Sequence, residues 1–289
     1  LVIAALRRLV PELRCELVPV ATRGDRDTST PLPEIGGKGL FTEELEDRLR
    51  RREITVAVHS LKDLPTDSPP DLAIAAVLER ADPADVLVSR SGLRLAELPA
   101  SPGIGTSSLR REAQVLALRP DARVLPLRGN VDTRIRKASD ADGPYDAVVL
   151  AAAGLERLGL STRVVERFAP DRFLPAPGQG AMALQARAED PLLLLLARLD
   201  HAPTRRAVSA ERTFLAALDA GCSAPVGAYG RVVEDRLVVD GLVATRDGRV
   251  VIRVRAEGAP EFAEALGNEL ADRARHQGAM EVFREEGRS

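Results

Sequence analysis

Ile54-Thr-Val-Ala-Val-His-Ser-Leu-Lys-Asp-Leu-Pro65 decides how this chain is read. Ile54, Thr55, Val56 and Val58 are β-branched and predict a strand over 54–58, followed by a polar loop with His59, Ser60, Lys62 and Asp63 that Pro65 stops. Open α/β sheets bind their ligands beyond the carboxyl ends of the strands, so a charged cluster at such a junction is well placed for chemistry. Asp63 is the candidate for the central catalytic group. Lys62 adds a compositional hint, because Lys38, Lys62 and Lys137 are the only lysines among 41 basic residues.

Working outward, the chain to Val88 alternates helices with short apolar runs. A helix to Leu9, a strand at Cys15–Val20, a helix at Leu40–Arg51 and strands at 54–58 and Leu72–Leu78 imply parallel strands joined by crossover helices. A second cycle follows. It has strands near Asp85–Ser89, Pro102–Gly105, Arg123–Leu127 and Asp146–Leu150, and helices near Ser107–Leu118, Val131–Ala138 and Ala152–Leu158. After the Pro/Gly-rich segment 174–180 come one more strand and the Leu-rich helix 191–199. From Thr204 the texture changes to a helix ending near Ala220, three β-rich runs joined by tight turns, which makes them antiparallel, and a closing helix from Pro260 to Arg275.

At 289 residues, and about 150 residues per domain, two or three domains are expected. The composition, 45% hydrophobic and 29% charged, is that of a globular protein, and the longest leucine run, Leu192–Leu196, is too short to span a bilayer. A net charge near -2 balances the arginines with acids, which argues against nucleic-acid binding and makes any anion site local. Cys15 and Cys222 give neither a disulfide framework nor metal spacing, and a cytoplasmic setting is expected. No signal peptide is visible. The opening Leu-Val-Ile-Ala-Ala-Leu-Arg-Arg reads as mid-helix, with a strand expected upstream.

Other constellations fall at strand ends. Gly103-Ile-Gly-Thr-Ser-Ser-Leu-Arg-Arg111 runs from a strand into a helix, with Thr106 or Ser107 as N-cap. Arg110 and Arg111 then sit in the first turn, where the helix dipole disfavours cations unless an anion is bound. Leu127-Arg-Gly-Asn-Val-Asp-Thr-Arg134 repeats the arrangement with Arg128 and Arg134, and Arg157 follows the next strand. Guanidinium groups at successive strand ends suggest a polyanionic ligand. Neither glycine-rich segment has the spacing of a nucleotide loop. Glu34-Ile-Gly-Gly-Lys-Gly-Leu-Phe41 carries Lys38 and Phe41 on a flexible loop that could cover the cleft, and Ala220-Gly-Cys-Ser-Ala-Pro-Val-Gly227 presents Cys222 for covalent chemistry.

Taken in order, Gly-Gly-Lys-Gly-Leu-Phe, Val-His-Ser-Leu-Lys-Asp-Leu-Pro, Gly-Thr-Ser-Ser-Leu-Arg-Arg, Leu-Arg-Gly-Asn-Val, Pro-Gly-Gln-Gly-Ala and Gly-Cys-Ser-Ala-Pro-Val-Gly resemble the hydroxymethylbilane synthase (porphobilinogen deaminase) family across almost the whole chain. The resemblance implies two periplasmic-binding-protein-like (type II) α/β domains around a cleft, 1–80 with 176–199 and 81–175, and a small C-terminal α+β domain, 200–289, with a three-stranded antiparallel sheet. It implies a dipyrromethane cofactor attached by a thioether to Cys222, which primes head-to-tail addition of four porphobilinogen molecules. Each addition loses ammonia, and hydrolysis releases the linear tetrapyrrole.

By match, Asp63 stabilises the cationic intermediates and mediates proton transfer. Arg110, Arg111, Arg128, Arg134 and Arg157, with Ser60, Lys62, Thr106, Ser108 and Gln179, would hold acetate and propionate groups, and Lys38 and Phe41 match a mobile loop. No metal, nucleic acid or membrane is implied, and a monomer is expected. The family's opening Thr-Arg-x-Ser strand is absent before Leu1. A ligand-binding module with the same cleft is the alternative class, and would need neither Cys222 nor Asp63.

Overall fold

The computed structural model describes residues 1–20, 42–219 and 224–286. The chain begins with α1 (Val2–Leu9), α2 (Glu43–Arg50), β1 (Ala57–Ser60), a single 3-10 turn at Leu61–Asp63, and β2 (Leu72–Val77). It continues through β3 (Asp85–Ser89), β4 (Gly103–Gly105), α3 (Leu109–Leu118), β5 (Arg123–Leu125), α4 (Val131–Ser139), β6 (Ala147–Ala151), α5 (Ala152–Arg157) and β7 (Glu166–Arg167). Then come β8 (Met182–Arg187), α6 (Leu193–Ala197), α7 (Ala202–Ala217), β9 (Val226–Val233), β10 (Arg236–Ala244), β11 (Val251–Gly258), α8 (Ala263–His276) and α9 (Ala279–Glu286).

These strands form three sheets. In the first, β8 returns from far along the chain to lie between β1 and β2, antiparallel to both. The second has the order β5-β4-β6-β3-β7. There β4 is parallel to β5 and β6, whereas β3 is antiparallel to β6 and β7. The all-parallel expectation therefore fails at β3 and β8. Crossover helices set direction only between strands of one sheet; β3 enters its sheet from β2 of another, and β8 returns to the first sheet from β7 of the second, so no crossover fixes either direction.

Local differences have physical causes. The strand expected at 54–58 lies at Ala57–Ser60, so period-two alternation turns Ala57 and His59 inward and leaves Val58 exposed. Residues 15–20, expected as a strand, take no regular structure and pair with no described strand, with Leu17 and Val18 exposed; strand-forming residues without a ladder partner do not make a sheet. β5 stops at Leu125 because Pro126 cannot donate to the ladder. The two-residue β7 and the last helix, α9, carry too little pattern to be read. Among the described residues no helix is long and apolar enough to cross a membrane.

The third sheet, β11-β10-β9, is an antiparallel meander covered by α7 and α8. Its core joins fully buried Phe214 of α7 and Leu270 of α8 to Leu237, Val239 and Val243 of the sheet. Gly241 permits this approach, since a Cβ there would lie 2.8 Å from Phe214 Cζ and 2.9 Å from Leu270 Cδ2. Gly241→Val should therefore cost about 1–3 kcal/mol through overpacking. Urea unfolding followed by far-UV circular dichroism checks this, and an unchanged midpoint would mean that the helices shift freely.

Candidate active site

The carboxyl ends of β1 and β6 and the N-terminus of α4 converge on a cavity of about 250 Å³. Ser60, Lys62, Asp63, Arg111, Arg134, Arg157 and Gln179 line it, with the Gly129-Asn130 turn on the far wall. Of the residues singled out from sequence, Thr106, Ser108, Arg110 and Arg128 do not line this cavity. Lys38, Phe41 and Cys222 lie outside the described residues. A more open depression of about 440 Å³ beside Arg136, Lys137, Ser139 and Asp140 contains none of the predicted residues.

The turn Leu61–Asp63 leaves β1 as one 3-10 loop. Leu64 N–H donates to Leu61 C=O at 3.2 Å, and Leu61 N–H donates to Ala181 C=O at 3.0 Å on the returning segment. Gly178, at φ 76°, lies so close that a Cβ would sit 3.2 Å from Lys62 N. Asp63 is exposed at the cavity, whereas Leu61 beside it is buried. His59 turns away: its Nε2 lies 2.9 Å from Gln185 Oε1, whose Nε2 donates to Glu46 Oε1 at 3.3 Å. Burial lowers the His59 pKa.

Four cations, Lys62, Arg111, Arg134 and Arg157, face one carboxylate, Asp63, among the lining residues. Burial pushes the Lys62 ammonium down to about 8; Asp63 opposes the shift and Arg111 reinforces it. Burial likewise lowers Arg134 to about 10, helped by repulsion from Arg111 and Arg128. Arg157 is also lowered by burial, and its Nη2 donates to Gly180 C=O at 3.0 Å. Arg134 Nε donates to Gly129 C=O at 2.7 Å, so the α4 arginine folds back along the glycine turn that opens its helix. An anionic ligand would relieve this cationic crowding, and several separated carboxylates would relieve it best.

Sequence reasoning missed Asp85. α3 begins at Leu109 with Ser108 as N-cap, not Thr106 or Ser107; Thr106 Oγ1 instead accepts from Ser108 N–H at 3.2 Å. The anion expected for Arg110 and Arg111 comes from within the protein. Arg110 Nη1 donates to Asp85 Oδ2 at 2.6 Å, and Arg111 donates to Asp85 Oδ1 from Nε at 2.9 Å and from Nη2 at 2.7 Å. Gln179 Nε2 adds a bond to Asp85 Oδ1 at 3.0 Å and one to Pro83 C=O at 2.8 Å. Burial alone would raise the Asp85 carboxyl, but the two arginines and the Gln179 bond outweigh it and hold it near 2. The available signal was an acid opening the otherwise apolar run Asp-Val-Leu-Val.

The donor set fits a polycarboxylate cofactor. Beyond the excess of cations, Gln179 of the lining has its acceptor Oε1 buried without a hydrogen-bond partner, which suits an N–H of the same ligand. The fold and site define an α/β protein whose cation-rich cavity suits a ligand with several carboxylates, followed by a three-stranded antiparallel sheet. The chain matches "Porphobilinogen deaminase, dipyromethane cofactor binding domain" over residues 1–194 and "Porphobilinogen deaminase, C-terminal domain" over 205–276. It is 51% identical to porphobilinogen deaminase of Desulforudis audaxviator over 98% of this chain and 91% of that one. It is 45% identical to that of Carboxydothermus hydrogenoformans over the same shares of the two chains. This chain belongs to the porphobilinogen deaminase family.

Because its pKa is depressed by its partners, Asp85 contributes stability above its ordinary value of 3.8, lost as pH falls from there toward 2. Acid titration monitored by circular dichroism should show a loss of about 2 kcal/mol over that window. Asp85→Asn, which leaves Arg110 and Arg111 buried without their carboxylate, should be less stable by about 3–5 kcal/mol at neutral pH and should lack that acid step. An unchanged acid profile would show that Asp85 is not the titrating group.

Proposed function

We propose that Asp63 and the cations around it carry the reaction of this chain's family. The protein is a transferase, a hydroxymethylbilane synthase: it condenses four porphobilinogen molecules head to tail with loss of ammonia, then releases the linear tetrapyrrole by hydrolysis. The observation that supports the residue assignment is the convergence of Lys62, Arg111, Arg134 and Arg157 around Asp63 in one cavity. When bound, the dipyrromethane cofactor supplies the pyrrole primer from which the product is built.

The chain's own residues divide the work. Arg134 and Arg157 bind carboxylates as planar forks, Lys62 as a point charge, and the Ser60 hydroxyl donates a neutral hydrogen bond, while Arg111, held on Asp85, adds positive charge to the cavity wall. Asp63 offers a carboxylate oxygen that favours positive charge next to it and can take up and return a proton. Gln179 Oε1 orients an N–H donor. Thr106, Ser108 and Arg128 would serve the remaining carboxylates of the cofactor or growing chain, and Arg110, held with Arg111 on Asp85, keeps that wall in place. Lys38 and Phe41 would cover the cleft, and Cys222 would carry the thioether. The units 1–80 with 176–199, 81–175 and 200–289 act as three domains of a cytoplasmic monomer.

Asp63→Asn should keep the covalent adduct, seen by intact mass, and lose about 10²–10⁴ in kcat; near-normal turnover in a clean preparation would sink the catalytic role. Cys222→Ser should lack the adduct on the mapped peptide, and an adduct elsewhere would reassign the attachment.

The Lys62 ammonium is charged below about 8 and neutral above it. Loading of the cofactor-free protein by porphobilinogen should therefore slow as pH rises through that value. Lys62→Arg should flatten the profile, and an identical profile in the variant would remove Lys62 from carboxylate binding.

A further inference from the structure

Arg212 lies on α7, outside the cavity, one residue beyond fully buried Glu211. Its guanidinium donates from Nη1 to Leu64 C=O at 2.9 Å and from Nη2 to Pro65 C=O at 2.6 Å and Thr66 C=O at 3.4 Å. These consecutive carbonyls begin at the residue after Asp63. The turn that carries Lys62 and Asp63 is therefore held at both ends: at its entry by Leu61 N–H on Ala181 C=O, and at its exit by Arg212.

The neighbouring Glu211 anchors the same helix. Its carboxylate accepts from Arg80 Nη1 at 2.6 Å and Nη2 at 3.1 Å, from Gly178 N–H at 2.7 Å and from Gly230 N–H at 2.6 Å. Arg80 belongs to the segment linking β2 to β3, and Gly178 to the segment that returns to β8. Glu211 thus fixes α7 against both connections between the first two sheets, and Arg212 passes that reference on to the Asp63 turn. In the sequence, Cys222 lies ten residues beyond Arg212.

We infer that Arg212 is a positioning residue for the condensation: its fork on the Leu64, Pro65 and Thr66 carbonyls sets where Asp63 stands relative to the helix that leads to the cofactor-bearing segment. The inference rests on the assignment of Asp63 and Cys222 made above. A hydrogen bond from a charged donor to a backbone carbonyl is among the stronger ones, and a fork that spans several acceptors cannot be matched by a single ammonium. Misplacement of a reacting group by about 1 Å is enough to cost on the order of 100-fold in rate.

The test compares holoenzyme carrying Arg212→Lys and Arg212→Gln with the parent and with Asp63→Asn. Turnover is expressed per adduct-bearing molecule as counted by intact mass. Expected are a kcat loss of roughly 10-fold for Arg212→Lys and up to roughly 100-fold for Arg212→Gln, with KM for porphobilinogen within about threefold. Amides of residues 61–66 should exchange hydrogen faster, while those of β9–β11 should not change. Should Arg212→Gln fail to fold, Arg212→Lys, which keeps the charge and the aliphatic stem, decides the matter alone. Normal kcat per loaded molecule in Arg212→Lys and in any folded Arg212→Gln, with Asp63→Asn inactive, would overturn the positioning role while leaving Asp63 in place. Normal turnover in Asp63→Asn would instead overturn the reading on which the inference rests.

Discussion

A carboxylate with no exposed surface organises the cleft. Asp85 stands at the first residue of β3, where the chain passes from one sheet to the next, and it receives Arg110 and Arg111 from α3 and Gln179 from the returning segment. A charge taken out of water this completely is tolerated only when its lone pairs are satisfied, and removing one partner of such a group costs about 3–5 kcal/mol. The strand, the helix N-terminus and the return segment are therefore locked in one arrangement. The first turn of α3, where cations are disfavoured, becomes acceptable for two arginines because Asp85 lies among them.

Glu211 repeats this device one layer away. It is equally inaccessible, and it gathers Arg80, Gly178 N–H and Gly230 N–H, so a residue of α7 holds both segments that connect the first two sheets. Arg80 also places its guanidinium 5.5 Å from the Tyr229 ring, and Arg231 lies 5.2 Å from the same ring, which extends the junction onto β9. Arg167 on β7 closes a further contact on Asp82 within the link, from Nε at 2.6 Å. Motion of the cleft walls against each other has to pass through these links, and the charges that hold them all come from outside the cavity.

Much of this was legible in the sequence, and what was not has a consistent cause. β2, β3 and the three strands of the last sheet were readable because apolar patterning and turn residues agree there. The motif residues Ser60, Lys62, Asp63, Arg111, Arg134, Arg157 and Gln179 were found and do share one cavity. The direction of β3 was not readable, because strand direction depends on which strands meet, and that is a long-range property; the return of the segment after Gln179 to the first sheet came only through the family resemblance. Arg110 and Arg111 looked like ligand arginines because the acid they bind lies 25 and 26 residues earlier on a strand that otherwise reads as apolar. Arg212 was invisible for a related reason: its acceptors are backbone carbonyls, which leave no trace in residue identity.

The acids of this site fall into two classes by burial, and the division bears on chemistry. Asp85 and Glu211 are saturated with donors and closed to solvent, and the first is held near a pKa of 2, so both carboxylates are committed to the frame. Asp63 is the carboxylate of the cavity lining and is open to it. The cations divide in the same way, with Arg80 and Arg110 spent on the frame while Lys62 and Arg134 carry pKa values lowered by burial and by repulsion from neighbouring arginines. Confining saturated charges to the scaffold and under-compensated cations to the cavity leaves the electrostatic strain where an anionic ligand can relieve it. A group that must respond to changing charge on a ligand has to be one the scaffold leaves exposed, and among the lining residues Asp63 is the carboxylate in that position.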